Sequence, residues 1–201
     1  MPRIFAYKMI CKNHGAPTVQ MDKNGIPLLS LAICKPQIRK AAKIGDIIFG
    51  FGSKKGKNNG ELVYVCEVTE TVEAPYYYVL DKYFYRRDCI YRIEENKALQ
   101  VKGFIMGTPI LKDVSNNLDK FPHSVNIGTN YKKSRVILST NFKTFFKDRS
   151  SIPIMSIFST ISSYMQKRAR GISFSIINPL LENLWKFLND THIPYEEDPI
   201  V

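Results

Sequence analysis

Apolar residues recur with a period of two in several short segments of the chain, a pattern typical of half-buried β-strands. Residues 62–70 show the pattern clearly, and they are expected to pair antiparallel with a strand at 46–52. Further strands are predicted at 3–11, 89–94 and 135–139, with 141–146 extending or following the last of these. The sheet is therefore predicted to be mostly antiparallel.

A helical period replaces this alternation just before residue 46. Pro36 suits the first turn of a helix, because its missing N–H costs little there, and Gly45 can close the other end in the left-handed conformation. The spacing predicts a basic face that looks outward and an apolar face that packs. The basic face carries Lys35, Arg39 and Lys43, and the apolar face carries Ile38, Ala41 and Ala42.

The strand at 46–52 is glycine-rich on one side. Its alternation sends Ile47, Phe49 and Phe51 one way, and leaves Gly50 and Gly52 on the other. A strand face so bare of side chains admits a flat ligand, or marks a bulge or the close approach of another surface. Aromatic residues such as Phe51 and Tyr64 are either core residues or a platform on which a base stacks.

Three long connections are predicted around these elements. Residues 12–27 and 103–133 are rich in Gly, Pro and Asn, and loops of this length are usually functional or mobile. The second contains His123 and Asn126, which can donate to a base or a phosphate. Residues 53–60 form a cationic hairpin loop with Lys54 and Lys55, and a short helix or turn is predicted at 78–84.

Two amphipathic helices are predicted after residue 150. The first has an apolar stripe over 154–165 and ends in a basic turn, and the second begins with Asn178 as its cap and Pro179 in its first turn. They either cover the sheet or hold a protein partner or a second copy of the chain.

Charge points to a polyanionic partner. The 201 residues include 29 Lys and Arg against 18 Asp and Glu, which gives a net charge of +11, and the isoelectric point is about 9.5. No long apolar run and no signal-peptide pattern occurs, so the protein is expected in the cytoplasm. The four cysteines lack CxxC spacing and are predicted to be small core residues.

Motifs for catalysis or for a bound group are scarce. The three histidines form no HxH or HExxH pattern, and neither a Walker loop nor a GxSxG elbow is present. We therefore predict no metal, no cofactor and no catalytic residues.

One combination of residues resembles a known family. The series Tyr7, 15–17, 31–36, 38–39, 45–46, Gly50 and 52–53 is similar to the second type of nucleotide-modification-associated domain, related to the EVE, ASCH and YTH domains of the PUA-like superfamily. The likeness covers roughly residues 4–146. It implies an α+β fold in which a small twisted PUA-like β-barrel, with flanking helices, spans residues 1–149. Residues 150–201 are predicted to be a helical C-terminal extension.

The resemblance also implies a function, which is the binding of a flipped, modified base, in DNA, in a base-modification or in a restriction and antiphage-defence context. The predicted binding residues are Tyr7, Lys35, Arg39, Phe51, Gly52, Ser53, Lys54, Lys55, Tyr64, His123 and Asn126. Two alternatives stay open. One is an enzyme that alters a base, with Asp46, His123 and Lys35 as first suspects, and the other is a non-catalytic subunit that docks proteins through the C-terminal helices.

Overall fold

A computed structural model describes residues 2–9, 17–32, 35–52, 62–94, 97–102, 109–113, 135–145, 172–175 and 178–190. Its strands are β1 (Arg3–Met9), β2 (Thr18–Met21), β3 (Pro27–Leu31), β4 (Ile47–Gly52), β5 (Leu62–Glu67), β6 (Glu70–Glu73), β7 (Tyr91–Glu94), β8 (Lys97–Lys102), β9 (Pro109–Asp113), β10 (Arg135–Ser139), β11 (Phe142–Thr144) and β12 (Ile172–Ser175). Its helices are α1 (Pro36–Ala41), α2 (Ala74–Val79), α3 (Asp81–Phe84) and α4 (Asn178–Leu188). Strands with a few short helices make the fold α+β, as predicted.

The chain divides into two compact units. The first contains a five-stranded sheet in the order β11-β5-β4-β1-β12. β1 and β4 run parallel, whereas β4 pairs antiparallel with β5 as predicted. Every residue of β4 is buried, because this strand is central in the sheet and both of its faces are covered. Phe187 of α4 stacks on Phe145 with 6.4 Å between ring centroids, so α4 contributes to the core of this unit.

The second unit contains the sheet β2-β3-β10-β6, the sheet β7-β8-β9 and the helices α1 to α3. Its core is rich in tyrosine, with Tyr77 stacked on Tyr83 at 4.7 Å and Tyr78 edge-on to Tyr91 at 5.5 Å between ring centroids. These four tyrosines are therefore core residues, and the short helix or turn predicted at 78–84 is replaced by two helices, α2 and α3.

Two predicted loops contain strands. β2 lies within residues 12–27, where a tight turn joins it to β3: the Asp22 carboxylate accepts the N–H groups of Asn24 and Ile26, each at 2.8 Å, and Gly25 has φ +75°. Asn24 and Gly25 of that segment therefore belong to a hairpin turn. β9 lies within residues 103–133 and pairs with β8, so that prediction of irregular structure was wrong at 109–113.

The described strands form three open sheets rather than a closed ring. The PUA-like barrel therefore stays a prediction, as does the domain boundary at residue 149. The helix predicted over 154–165 lies outside the described residues, and the helix that begins at Asn178 is confirmed. Among the described helices, none has the length and apolar character needed to span a membrane.

Candidate nucleic-acid interface

Tyr7, Gly50 and Tyr64 lie side by side on three neighbouring strands. Strand register pairs Gly50 with Tyr7 of β1 and with Tyr64 of β5, so all three face the same side of the sheet. The Tyr64 hydroxyl donates to the Tyr7 hydroxyl at 2.8 Å. The two tyrosines are on β5 and β1, and Gly50 is on β4, the strand between them. Both tyrosines are fully buried. Two of the predicted binding residues, Tyr7 and Tyr64, are therefore brought together, with Gly50 between them.

Gly50 is covered in the structure. A Cβ at Gly50 would overlap two carbons of the Tyr64 ring and would lie 3.1 Å from a third, its Cζ. The prediction of a bare strand face was therefore wrong at this residue, because the neighbouring tyrosine leans over the space that the glycine leaves. The alternative prediction, close approach of another surface, is confirmed here. The register of β4 and β5 also shifts between Gly50 and Phe51, as the glycines indicated.

Phe51 lies on the opposite face of β4. Its ring stacks on that of Phe49 with 6.3 Å between centroids, two residues back along the strand, and Phe51 is buried. The structure therefore separates Phe51 from the Tyr7 and Tyr64 rings. Gly52, which ends β4, pairs with Met9. The next three predicted binding residues, Ser53, Lys54 and Lys55, lie outside the described residues, as do His123 and Asn126.

The predicted basic face of α1 is exposed only in part. Arg39 is only 1% exposed, and its guanidinium donates to the main-chain oxygen of Arg135. Ala41, which was assigned to the apolar face, is exposed, whereas Ala42 is buried and Lys43 is exposed as predicted, so the assignment of faces was wrong at Arg39 and Ala41. The physical reason is the backbone carbonyl on β10, which gives a buried guanidinium an acceptor that no helical spacing can reveal. In this conformation Arg39 does not offer its charge to a phosphate at the surface.

Lys35 precedes α1 in a strained conformation. Its φ of 58° is the left-handed region that L-residues rarely adopt, and its carbonyl accepts the N–H of Arg39 at 3.0 Å to open the helix. Pro36 is the first helical residue, as predicted. Gly45 has the predicted positive φ, +87°, but it lies in a turn four residues beyond the end of the helix.

Asp46, a first suspect in the enzyme alternative, has a structural role. Its carboxylate accepts the main-chain N–H of Arg3 at 2.8 Å, the Arg3 guanidinium at 2.7 Å and the N–H of Lys43 at 2.8 Å. The residue is buried, and these bonds tie the start of β4 to β1. A carboxylate so engaged is poorly placed to act as a general base.

A buried polar cluster in the second unit was missed by sequence reasoning. Asp88 accepts the Ser30 hydroxyl at 2.5 Å and the Tyr77 hydroxyl at 2.8 Å, and the Arg86 guanidinium donates to Ser30 at 2.8 Å. Arg86 also donates to the carbonyls of Thr18 and Leu28, each at 3.0 Å. Arg86, Ser30 and Tyr77 are fully buried, and Asp88 is nearly so. This cluster joins α2 to the β2–β3 hairpin.

The electrostatics of the cluster keep Arg86 charged and Tyr77 neutral. Burial raises the pKa of Tyr77 well above its usual value, and the Asp88 carboxylate adds to the effect. Burial alone would lower the pKa of Arg86, but Asp88 and Tyr77 outweigh it and raise that pKa. The residues that meet here are up to 68 positions apart in the chain, and only the unusual Arg-Arg-Asp run at 86–88 gave any signal.

Two of the four cysteines are described, and both are buried free thiols. Burial raises the pKa of Cys66, so its thiol stays protonated and unreactive at neutral pH. The prediction of core cysteines is confirmed for Cys66 and Cys89. Cys11 and Cys34 lie outside the described residues.

Comparison of the sequence with models of protein families matches nucleotide modification associated domain 2 over residues 1–200. The chain belongs to this family. Comparisons with curated proteins and with solved structures gave no significant match. The resemblance noted from the sequence is therefore confirmed, and the family match extends beyond residue 146 to include β12 and α4. As a member of the nucleotide modification associated domain 2 family, the chain is connected to nucleotide modification.

Proposed function

We propose that this chain is a nucleic-acid-binding module that recognises a flipped, modified base, in DNA, within a base-modification or restriction and defence system. The observation that carries the proposal is the row of Tyr7, Gly50 and Tyr64. The family match supports a role connected to nucleotide modification. The net charge of +11 supports a polyanionic partner.

The row has the chemistry that a base requires. A planar ring already lies over Gly50, so the space above this glycine has the thickness of an aromatic ring. Two phenolic hydroxyls meet beside this space, and each can donate or accept a hydrogen bond. We propose that a base replaces the Tyr64 ring over Gly50 and that the displaced ring stacks on the base. Stacking of this kind contributes about 1–3 kcal/mol per base.

The other predicted residues are proposed to contact the same nucleic acid. Gly52, Ser53 and the Lys54 backbone would read the edge of the base, His123 and Asn126 would add donors from the second long loop, and Phe51 would support the strand from its other face. Phosphate contacts from Lys35, Lys54 and Lys55 would give affinity that does not depend on sequence. Arg39 would contribute only after leaving its buried position. We also propose the PUA-like barrel as the setting of this pocket.

Variants at Tyr64 test the pocket. We expect Tyr64→Leu to reduce selectivity for the preferred modified base at least tenfold, since it removes both ring and hydroxyl, and Tyr64→Phe to reduce it less. Phe49→Leu is the matched control, because Phe49 is equally buried on β4 but faces the other side. Binding is measured by fluorescence anisotropy with oligonucleotides that differ only in 5-methylcytosine, 5-hydroxymethylcytosine or N6-methyladenine. Equal losses of selectivity in Tyr64→Leu and Phe49→Leu would mean that the row is only core.

A further inference from the structure

Ile44 occupies the second position of a tight turn formed by residues 43–46. The Asp46 N–H donates to the Lys43 carbonyl at 3.0 Å, which closes the turn, and Gly45 has φ +87° at its third position. Ile44 is not among the residues with positive φ. This combination defines a type II turn, in which glycine is required at the third position and the second accepts most residues. The backbone therefore does not demand an isoleucine here.

The turn is held in place by hydrogen bonds on both sides. The Asp46 carboxylate accepts the Lys43 N–H, and the same carboxylate is paired with Arg3 at 2.7 Å. On the other side, the Gly45 N–H donates to the Val68 carbonyl at 2.9 Å, and the Val68 N–H donates to the Asp46 carbonyl at 2.8 Å. The position of Ile44 is therefore fixed relative to β4 and β5.

Ile44 nonetheless points into solvent. It is 69% exposed, the highest value among the large exposed hydrophobic residues in the described part of the chain. The residue before it, Lys43, is also exposed. A single exposed apolar residue is common on protein surfaces. Ile44, however, lies on a turn held by hydrogen bonds, next to a lysine and on a cationic protein, and can therefore act as an apolar wedge. Such apolar side chains enter between base steps when proteins deform a duplex.

We propose that Ile44 enters the base stack of duplex DNA and fills the gap left by the flipped base, with Lys43 contacting a neighbouring phosphate. This inference rests on the proposed function, because only a reader that removes a base from the stack leaves a gap. Unstacking costs a few kcal/mol, and an inserted side chain offsets part of that cost by restoring apolar contact with the flanking bases. In single-stranded DNA no paired stack has to be repaired, so Ile44 should matter little there.

Ile44→Ala tests the proposal, with Ile26→Ala as its matched control. Ile26 is also an isoleucine at a tight turn, 49% exposed, in the hairpin between β2 and β3. Each protein is titrated with a duplex and with a single strand, both carrying whichever of 5-methylcytosine, 5-hydroxymethylcytosine or N6-methyladenine the wild type prefers. A 2-aminopurine next to the modified base reports unstacking. Because both side chains are exposed, thermal unfolding should be unchanged in both variants.

We expect Ile44→Ala to weaken duplex binding roughly 10-fold or more, as fits the loss of a buried aliphatic side chain. Single-strand binding should be unchanged, the 2-aminopurine signal should fall, and Ile26→Ala should behave as the wild type. Equal affinities of wild type and Ile44→Ala for the duplex would overturn the proposed role of Ile44 while leaving the proposed function intact. Binding of the wild type to the modified base in single strands alone would have the same two consequences. A wild type with no preference for any modified base in either form would refute the proposed function and the wedge with it.

Discussion

Substitution of Gly50 by alanine tests the arrangement of Tyr7 and Tyr64 most sharply. Gly50 is not among the glycines with positive φ, so its backbone tolerates an L-residue. Replacing glycine by alanine within a strand would then be expected to stabilise the fold by about 0.5–1 kcal/mol. The added methyl group would, however, overlap two carbons of the Tyr64 ring.

The overlap is expected to outweigh the gain. The Tyr64 ring is buried and hydrogen-bonded to Tyr7, so it cannot move aside without losing contacts. Overpacking of a buried site costs about 1–3 kcal/mol, and loss of the tyrosine pair adds about 1 kcal/mol. We therefore expect Gly50→Ala to lower the free energy of unfolding by about 1–3 kcal/mol net, after subtraction of the backbone gain.

Urea unfolding followed by circular dichroism measures this change. A double-mutant cycle with Tyr64→Leu supplies the control, because a smaller side chain at residue 64 makes room for the methyl group. The cycle should show a favourable coupling of about 1 kcal/mol or more. A Gly50→Ala protein that is as stable as the wild type, with additive effects in the cycle, would refute the reasoning that the Tyr64 ring covers Gly50.

Three further predictions concern the buried polar residues. Asp88→Leu removes the carboxylate that faces the buried Arg86 guanidinium, and it should lower the free energy of unfolding in urea by about 3–5 kcal/mol. Addition of Arg86→Met should restore much of this loss, and a double variant without rescue would contradict the pairing. Burial raises the pKa of Tyr77 and of Tyr78, so these hydroxyls lose their protons in the unfolded chain before they do in the folded protein as the pH rises above 10.0. The free energy of unfolding should therefore fall by about 1.4 kcal/mol per pH unit for each tyrosine. Tyr78→Phe should reduce that slope, and an identical slope would contradict the assignment. Asp46→Ala removes the acceptor of three hydrogen bonds and should lower the melting temperature, measured by scanning calorimetry, by several degrees. An unchanged melting temperature would mean that the turn at residues 43–46 does not depend on Asp46.

In the first unit the sequence predicted β1, β4 and β5, but not β12, which completes the five-stranded sheet. β1, β4 and β5 lie where the period of two placed them, and the antiparallel pairing of β4 with β5 is confirmed. Short strands in segments rich in Gly, Pro and Asn were missed, since turn residues dominate their local composition. β2 and β9 are of this kind.

The candidate site shows a different limit. Glycine at residue 50 signalled a missing side chain, but not that Tyr64 of the next strand fills the space. Helical spacing grouped Arg39 with the lysines by charge alone, and its acceptor lies 96 residues away at Arg135. Both outcomes depend on residues that meet only after the chain has folded, so no local pattern contains them.

The central claim is recognition of a modified base, and one equilibrium measurement tests it most directly. Wild-type protein is titrated with duplex and single-stranded oligonucleotides of one sequence that differ in a single base, plain or modified, at low and high salt. We predict tighter binding to one modified base, by about tenfold or more, with an affinity that falls for all oligonucleotides as salt increases while the preference persists. Affinities that do not depend on salt, or that are equal for every plain and modified oligonucleotide, would contradict the account.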